Sequence, residues 1–372
     1  MLKIRQRSNY YKILSDVHWV DKKLLPRFSS SSDPVIVLNN LNVQSKILRL
    51  VDKYTCTDFK NYIDRLKFEL KSFSNLTQIF WFRVFKGIET KETLKNIQDK
   101  RTIMVIVPFA NELNIYKRST LNNPKGQDCV RSKLQIIEWL NKINCNLKFE
   151  IMFIDDSKEQ KNFIEIRKII KNKAQLISFH EYYSNNLCFF QNIKSNFLTS
   201  RKGKSVHLGL KIAHMEKYNY AIYIDFDGTY GLEQIGLGLN KVYKNEAQLI
   251  SFSRRLKDSE GYYQGAVPET VLSYSNNLNA LLKSQSTFSD FHSGFKIVDL
   301  EFYSNNCSNV QNFDLEFDYD IFSTILKAKG RILEVPVVAM HEFIEGKQGV
   351  SRSYVEMYQK CKSFEESFYM LE

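Results

Sequence analysis

A chain of 372 residues with 43% hydrophobic and 25% charged content has an ordinary globular composition, long enough to bury a sizeable core in one large domain or two. Six cysteines (Cys56, Cys129, Cys145, Cys188, Cys307, Cys361) without any C-x-x-C spacing argue against a zinc finger or a disulfide scaffold and for reduced thiols. The formal net charge of +12 is uneven, with 19 Lys+Arg against 10 Asp+Glu in residues 1–100 and 34 against 31 in the rest, so the N-terminal part is expected to meet an acidic partner or to be a solvated basic surface.

The start, MLKIRQRSNYYKILSDVHWV, lacks the apolar core of a signal peptide, and nowhere do about 18 apolar residues run together. The expected location is therefore cytoplasmic, or peripheral at the cytoplasmic membrane face. FSSSSDP at 28–34 reads as a loop. Phe59, Ile63, Leu66, Leu70 and Phe73 recur at helical spacing among Lys60, Arg65, Lys67 and Lys71, which predicts an amphipathic helix with a basic face. LTQIFWFRVFKGI at 76–88 is dense in aromatics. Residues 59–88 thus offer two readings, packing on the next domain or contact with an anionic membrane surface. The charged stretch Glu89–Arg101 marks a boundary, giving a basic, partly helical extension over 1–100, a catalytic-type domain over 101–352 and a helical tail over 353–372.

From Thr102 onward, strand and helix patterns alternate. Strands are expected at Ile103–Val107, Phe149–Ile154, Gln175–Phe179, Ala221–Ile224 and Ala247–Phe252. Helices are expected at Val130–Ile143, Ser157–Lys173, Gly203–Lys217, about 231–244 and near 268–283. Such alternation predicts an α/β fold with right-handed crossovers and a mostly parallel sheet, whose ligand loops gather at the strands' carboxyl ends. Pro108–Glu112, Asp155-Asp156 and Asp225–Asp227 would then share one edge.

The chain's most informative stretch is YAIYIDFDGTYGLEQIG at 220–236. Asp225 and Asp227 follow a buried strand, and two carboxylates there can offer oxygens to one hard cation while a phosphorylated ligand completes its shell. Two other readings fit the same residues. Asp-x-Asp-Gly-Thr after a strand is also the first motif of haloacid-dehalogenase-like phosphatases, with Asp225 as nucleophile and Asp227 as acid/base. It also fits a plain Asx-type turn.

Other motifs follow in order. They are VIVPFANE at 105–112, FIDDS at 153–157, RKGKSVHLG at 201–209, Ser253-Arg254, DFHSGFK at 290–296, FDLEFDYDI at 313–321, KGRILEVPV at 329–337 with His341, and GKQGVSR at 346–352. Together, over residues 102 to about 352, they resemble a family-two inverting glycosyltransferase of the A-type nucleotide-diphospho-sugar transferase fold, closest to the polyprenyl-phosphate (dolichyl-phosphate) mannosyl- and glucosyltransferases. The resemblance implies that Pro108, Asn111, Glu112, Asp155, Asp156, Lys202, Asp225 and Arg254 meet the nucleotide sugar. It implies that Asp225 and Asp227 hold Mg2+ or Mn2+, and that Asp290, His292 and Gly294 line the acceptor side. Asp318, Glu316 or Asp320 would be the base where the acceptor is a hydroxyl. Thr229, His292 and Asp320 stand where that family commonly has glutamine, glutamine and glutamate.

The implied partners are a UDP- or GDP-linked sugar and a polyprenyl phosphate or glycan acceptor. About 120 residues of α/β pattern precede the Asp-x-Asp strand, whereas a phosphatase of that type begins near it, which weighs against the phosphatase. A non-catalytic nucleic-acid binder is the other alternative. No recognised nucleic-acid motif accompanies the charge, so no nucleic acid is expected.

Overall fold

Side-chain alternation along the central strands splits the interior into two layers. In the computed structural model, which describes residues 2–27, 34–60, 62–110, 115–120, 123–157, 160–185, 202–256, 259–263, 288–291, 293–306 and 317–341, those strands form a seven-stranded sheet. The chain opens with helices α1 (Leu2–Trp19), α2 (Pro34–Asn39), α3 (Leu41–Lys53), α4 (Cys56–Lys60), α5 (Ile63–Leu70) and α6 (Asn75–Lys95). Then come β1 (Arg101–Phe109), the short hairpin β2 (Arg118–Thr120) and β3 (Asn123–Gln127), α7 (Cys129–Ile143), β4 (Leu147–Asp155), α8 (Lys161–Ile170), β5 (Gln175–Ser178) and α9 (Phe179–Asn185). The second half contains α10 (Lys202–Met215), β6 (Tyr220–Ile224), α11 (Gly236–Tyr243), β7 (Leu249–Ser253), β8 (Glu260–Tyr263) and β9 (Phe295–Asp299). Helices Leu300–Asn306 and Phe317–Lys327 and strands β10 (Ile332–Pro336) and β11 (Val338–His341) follow.

The sheet order is β10-β7-β9-β6-β1-β4-β5. β9 runs antiparallel to β6 and β7, and the other pairs are parallel. This is the mostly parallel α/β architecture expected, with a helical N-terminal extension. Ile103, Val105 and Val107 of β1, Tyr220, Ile222 and Ile224 of β6, and Phe295 and Ile297 of β9 face the larger core, where they meet α3, α6 and α7. Met104, Ile106, Ala221, Tyr223 and Val298 face the opposite way, towards α10 and the helices Leu300–Asn306 and Phe317–Lys327. α10 lies close to the sheet because a Cβ at Gly209 would stand only 2.6 Å from Ile106 Cγ2 and 2.9 Å from Ile154 Cδ1.

The aromatic stretch at 76–88 lies within α6. Phe80, Trp81, Val84, Phe85 and Ile88 are buried in the core that the sheet also lines, so packing accounts for it. α6 continues through the charged residues to Lys95, with Ser74 accepting from Thr77 N at its start and Ile88, Thr90, Lys91 and Leu94 buried along its second half. No helix among the described residues is long and apolar enough to cross a membrane.

Three expected helices differ in detail. The amphipathic one carrying Phe59 to Phe73 is divided, with α4 ending at Lys60 and α5 spanning Ile63–Leu70. The one predicted from Ser157 begins at Lys161, since Asp155 Oδ1 accepts from Ser157 N at 2.8 Å and holds a turn there. The one predicted over 231–244 is divided into a 3-10 turn, Leu232–Gln234, and α11. Inside that turn Glu233 is drawn to Arg83, and Gly236 N donates to Thr90 Oγ1 at 3.2 Å. The helix expected near 268–283, the segment GKQGVSR and the tail from 353 lie outside the described residues.

Candidate active site

β1, β4 and β5 extend the sheet in one direction, and β6 returns on the other side of β1. Open α/β sheets place ligands in the crevice at such a reversal, outside the carboxyl ends of the strands. Pro108 and Phe109 end β1 at that point, and Asp155, paired with Phe109, ends β4. β6 pairs with β1 as far as Tyr223 opposite Ile106, a register that carries Asp225 level with Pro108.

Strand parity sorts the loop after β6. Phe226 continues the side of Ile222 and Ile224 and stacks on Phe109, with ring centroids 4.9 Å apart. Asp225 continues the side of Tyr223 and stays half-buried, as does Asp227. The residue between the two acids is thus anchored in the core, which fixes both carboxylates at the crevice.

Lys202, the first residue of α10, donates to Asp225 Oδ1. Burial works to lower its pKa, but the carboxylates of Asp225, Asp318 and Asp227 outweigh burial and hold it above the ordinary lysine value. Asp225 N donates to Gly294 O at 3.0 Å, and a Cβ at Gly294 would overlap the Asp225 carboxylate, so glycine is required for this approach. Asp318 opens the helix Phe317–Lys327, and its Oδ1 accepts from Tyr223 Oη and from Lys296 Nζ, each at 2.8 Å. Burial pushes the Asp318 acid up, but Lys296 and Lys202 more than offset it, and the pKa falls below the usual carboxylate range. Burial also drives Tyr223 well above its ordinary value, with Asp318 adding to the rise, so the phenol stays protonated as a donor.

The loop's backbone is held from beneath. Lys133 of α7 is buried, and its Nζ donates to Phe226 O at 2.7 Å and Asp227 O at 2.8 Å. Gln127 Oε1 accepts from Gly228 N at 2.9 Å, and Asn39 Nδ2 donates to Gly228 O at 3.2 Å. Thr229 N donates to Asp227 Oδ1 at 3.0 Å, so the Asx-type turn is present alongside the acidic pair. Met340 N donates to Thr229 O at 2.9 Å, which runs β11 beside the loop. Lys133→Met removes both carbonyl contacts and is expected to destabilise by about 1–3 kcal/mol in urea unfolding. A change below a few tenths would show that the loop is held without it.

Arg254 and Asp290 form a tight pair, with Nε to Oδ2 and Nη2 to Oδ1 both at 2.7 Å. Burial raises the Asp290 acid, yet Arg254 overrides it and holds the pKa down to about 2. Asp290 N and Ser289 N in turn donate to Glu334 of β10 at 2.8 Å each. The nucleotide-side and acceptor-side candidates of the sequence are therefore partners of one another here.

Asp156 is buried beside Asp155, with its N donating to Phe109 O at 2.9 Å and His180 Nε2 at 3.6 Å from its Oδ1. Burial raises the Asp155 acid, partly offset by Ser157. Asp320 is buried on the same helix as Asp318. The structure therefore brings Asp225, Asp227, Lys202, Asp318 and Gly294 together, with Pro108, Asp155 and Asp156 along the same edge. Asn111, Glu112, His292 and Glu316 lie outside the described residues. Lys133, Gln127 and Asn39 were not singled out from the sequence, and Lys296 entered only as the last residue of DFHSGFK, with no role of its own.

Among the described residues no three His, Cys, Asp or Glu side chains gather as a metal cage. The donors at hand are carboxylate oxygens only, which suits Mg2+ or Mn2+ and leaves the other positions of the shell to water and a diphosphate. The Lys202 ammonium on Asp225 shows that a cation is accommodated at this carboxylate. The residues present fit such an ion.

No family model and no curated protein matches the chain. Among solved structures it is similar to mannosyl-3-phosphoglycerate synthase from Rubrobacter xylanophilus, at 17% identity over 73% of this chain and 74% of that one, with a TM-score of 0.47. It is also similar to glucosyl-3-phosphoglycerate synthase from Mycobacterium tuberculosis in complex with phosphoglyceric acid, at 17% identity over 74% and 83% of the two chains, with a TM-score of 0.43. The same enzyme with Mn2+, UDP and glucosyl-3-phosphoglycerate gives 15% identity over 72% and 80%, with a TM-score of 0.42.

Proposed function

We propose that the chain transfers a sugar from a UDP- or GDP-linked donor, with Mg2+ or Mn2+ held by Asp225 and Asp227. The observation that carries this reading is the acidic pair, half-buried at the point where the sheet order reverses, with a lysine ammonium already on one carboxylate. A bound ion would offset charge on the departing diphosphate. Lys202, which stands on Asp225, is at hand to meet the phosphates. Asp155 and Asp156, at the end of β4, accept from base N–H or ribose hydroxyl groups. The acceptor approaches from the side of Gly294 and Asp290, attacks the face away from the diphosphate, and the anomeric centre inverts.

The low basicity of Asp318, with Oδ1 committed to Lys296 and Tyr223, favours an acceptor that arrives already anionic, such as a polyprenyl phosphate. For a glycan or other hydroxyl acceptor, Glu316 and Asp320 are the remaining candidate bases. A polyprenyl acceptor calls for a bilayer surface, and on α5 the 73% exposed Phe68 stands beside Lys67 and Lys71. Phe68→Ser is expected to reduce co-sedimentation with anionic vesicles severalfold, and unchanged binding would place any docking surface elsewhere.

Incubation with a panel of UDP- and GDP-sugars, with Mn2+ or with chelator, tests the reaction class. Metal-dependent release of UDP or GDP is the expected result. Cleavage of a generic phosphomonoester run in parallel, without nucleotide release, would instead establish the phosphatase alternative.

A further inference from the structure

Around the Asp-x-Asp loop three lysines face three carboxylates. Lys202 interacts electrostatically with Asp225, Asp318 and Asp227, Lys133 with Asp227 and Asp225, and Lys296 with Asp318, while burial lowers the pKa of Lys133 and Lys296. Two of the ammoniums are fixed. Lys133 is buried under two loop carbonyls, and Lys296 is buried in the sheet on Asp318 and Ser293 O. Lys202 differs, because its side chain is 32% exposed and its partner Asp225 is 29% exposed, so this pair can open to solvent. It also stands at the start of α10, with Arg201 before it outside the described residues.

We infer that Lys202 is a movable placeholder cation: it neutralises Asp225 in the empty site and must leave that carboxylate for the diphosphate when a divalent ion arrives. This rests on the metal-dependent reading above and deepens it. A divalent ion alone meets an Asp225 carboxylate that Lys202 already offsets, and has to displace that ammonium. A divalent ion entering with a nucleoside diphosphate brings the anion that receives the displaced lysine. Metal and nucleotide therefore bind together, each weakly without the other, and Lys202 sets the coupling between them.

The test is Mn2+ binding followed by the loss of the free-ion electron paramagnetic resonance signal, without nucleotide and then with UDP or GDP. Lys202→Met removes the competing charge at similar side-chain length. It is expected to tighten Mn2+ binding in the absence of nucleotide by roughly tenfold, because a positive charge close to the dication is gone. With Mn2+ saturating, the same variant is expected to bind the nucleotide roughly tenfold more weakly. Lys202→Arg keeps the charge and is expected to stay near wild type for Mn2+ alone, which separates displacement from a general disturbance of α10. Unchanged or weaker Mn2+ binding by a folded Lys202→Met would overturn the placeholder role while leaving the metal site standing. Mn2+ binding to none of the proteins, with or without nucleotide, would overturn the metal reading and the placeholder with it.

Discussion

Asp227→Asn is expected to lower metal-dependent nucleotide release by about 100- to 1,000-fold while leaving the fold intact, because a preorganised charge opposite a developing anion is lost. Asparagine is the informative replacement here. Asp227 Oδ1 accepts from Thr229 N, and an amide oxygen can make the same bond, so the turn survives. The loop is also held by Lys133, Gln127 and Asn39 through backbone atoms that the substitution does not touch. What disappears is one negative charge and one hard oxygen ligand. Steady-state release over a Mn2+ titration, with circular dichroism as the fold control, measures both halves. Unaltered turnover at every Mn2+ concentration would remove Asp227 from the metal site.

Arg83→Met is expected to destabilise the protein by about 3–5 kcal/mol, because it strands a buried carboxylate. Arg83 and Glu233 have side chains only 1% and 0% exposed, with Nε to Oε1 at 2.6 Å and Nη2 to Oε2 at 3.1 Å. The guanidinium also reaches Gln44 Oε1 at 2.7 Å and Leu38 O at 3.3 Å. One side chain thus ties α3 and the end of α2 to the turn that follows the Asp-x-Asp loop. The double variant Arg83→Met with Glu233→Met removes both charges and is expected to recover much of the loss. Urea unfolding of the single and double variants gives the comparison. A single-variant cost under about 1 kcal/mol would mean that the ion pair does not bind the N-terminal helices to the sheet.

Legibility in the sequence followed the physics of each signal. Strands buried on both faces, such as Ile103–Val107 and Ala221–Ile224, announce themselves as apolar runs, and their positions held to within a residue or two at most ends. The Asp-x-Asp stretch stood out because two acids at the exit of such a run can meet a cation, and the structure adds that Asp227 also closes the Asx-type turn the same residues allowed. β9 was hidden, because its first two residues close the motif DFHSGFK, which was read for its acceptor-side residues and not as a strand, and nothing in a five-residue strand shows that it pairs antiparallel in the sheet's middle.

The supporting lysines were hidden for a different reason. Lys133 sits in CVRSKLQIIEWL at helical spacing from Cys129, Val130 and Ile137, on the buried face, and Lys296 alternates with Phe295 and Ile297 inside a strand. A charged residue in phase with an apolar face is a signal, but it does not name its partner. The partners here are loop carbonyls about 90 residues away and an aspartate on another helix. The basic, aromatic N-terminal part left packing and surface contact both open. The aromatic rings of α6 fill the core, and Arg83 is matched by an acid 150 residues further on.

In the proposed reaction a nucleoside diphosphate and a divalent ion share Asp225 and Asp227. Calorimetric titration of the purified protein with UDP and with GDP, in Mn2+ and again in chelator, measures that directly. Binding of one of them in Mn2+, weakened at least about tenfold by chelator and by Asp227→Asn, is the result expected. Equal affinity in Mn2+ and in chelator, or no binding of either nucleotide in Mn2+, would contradict it.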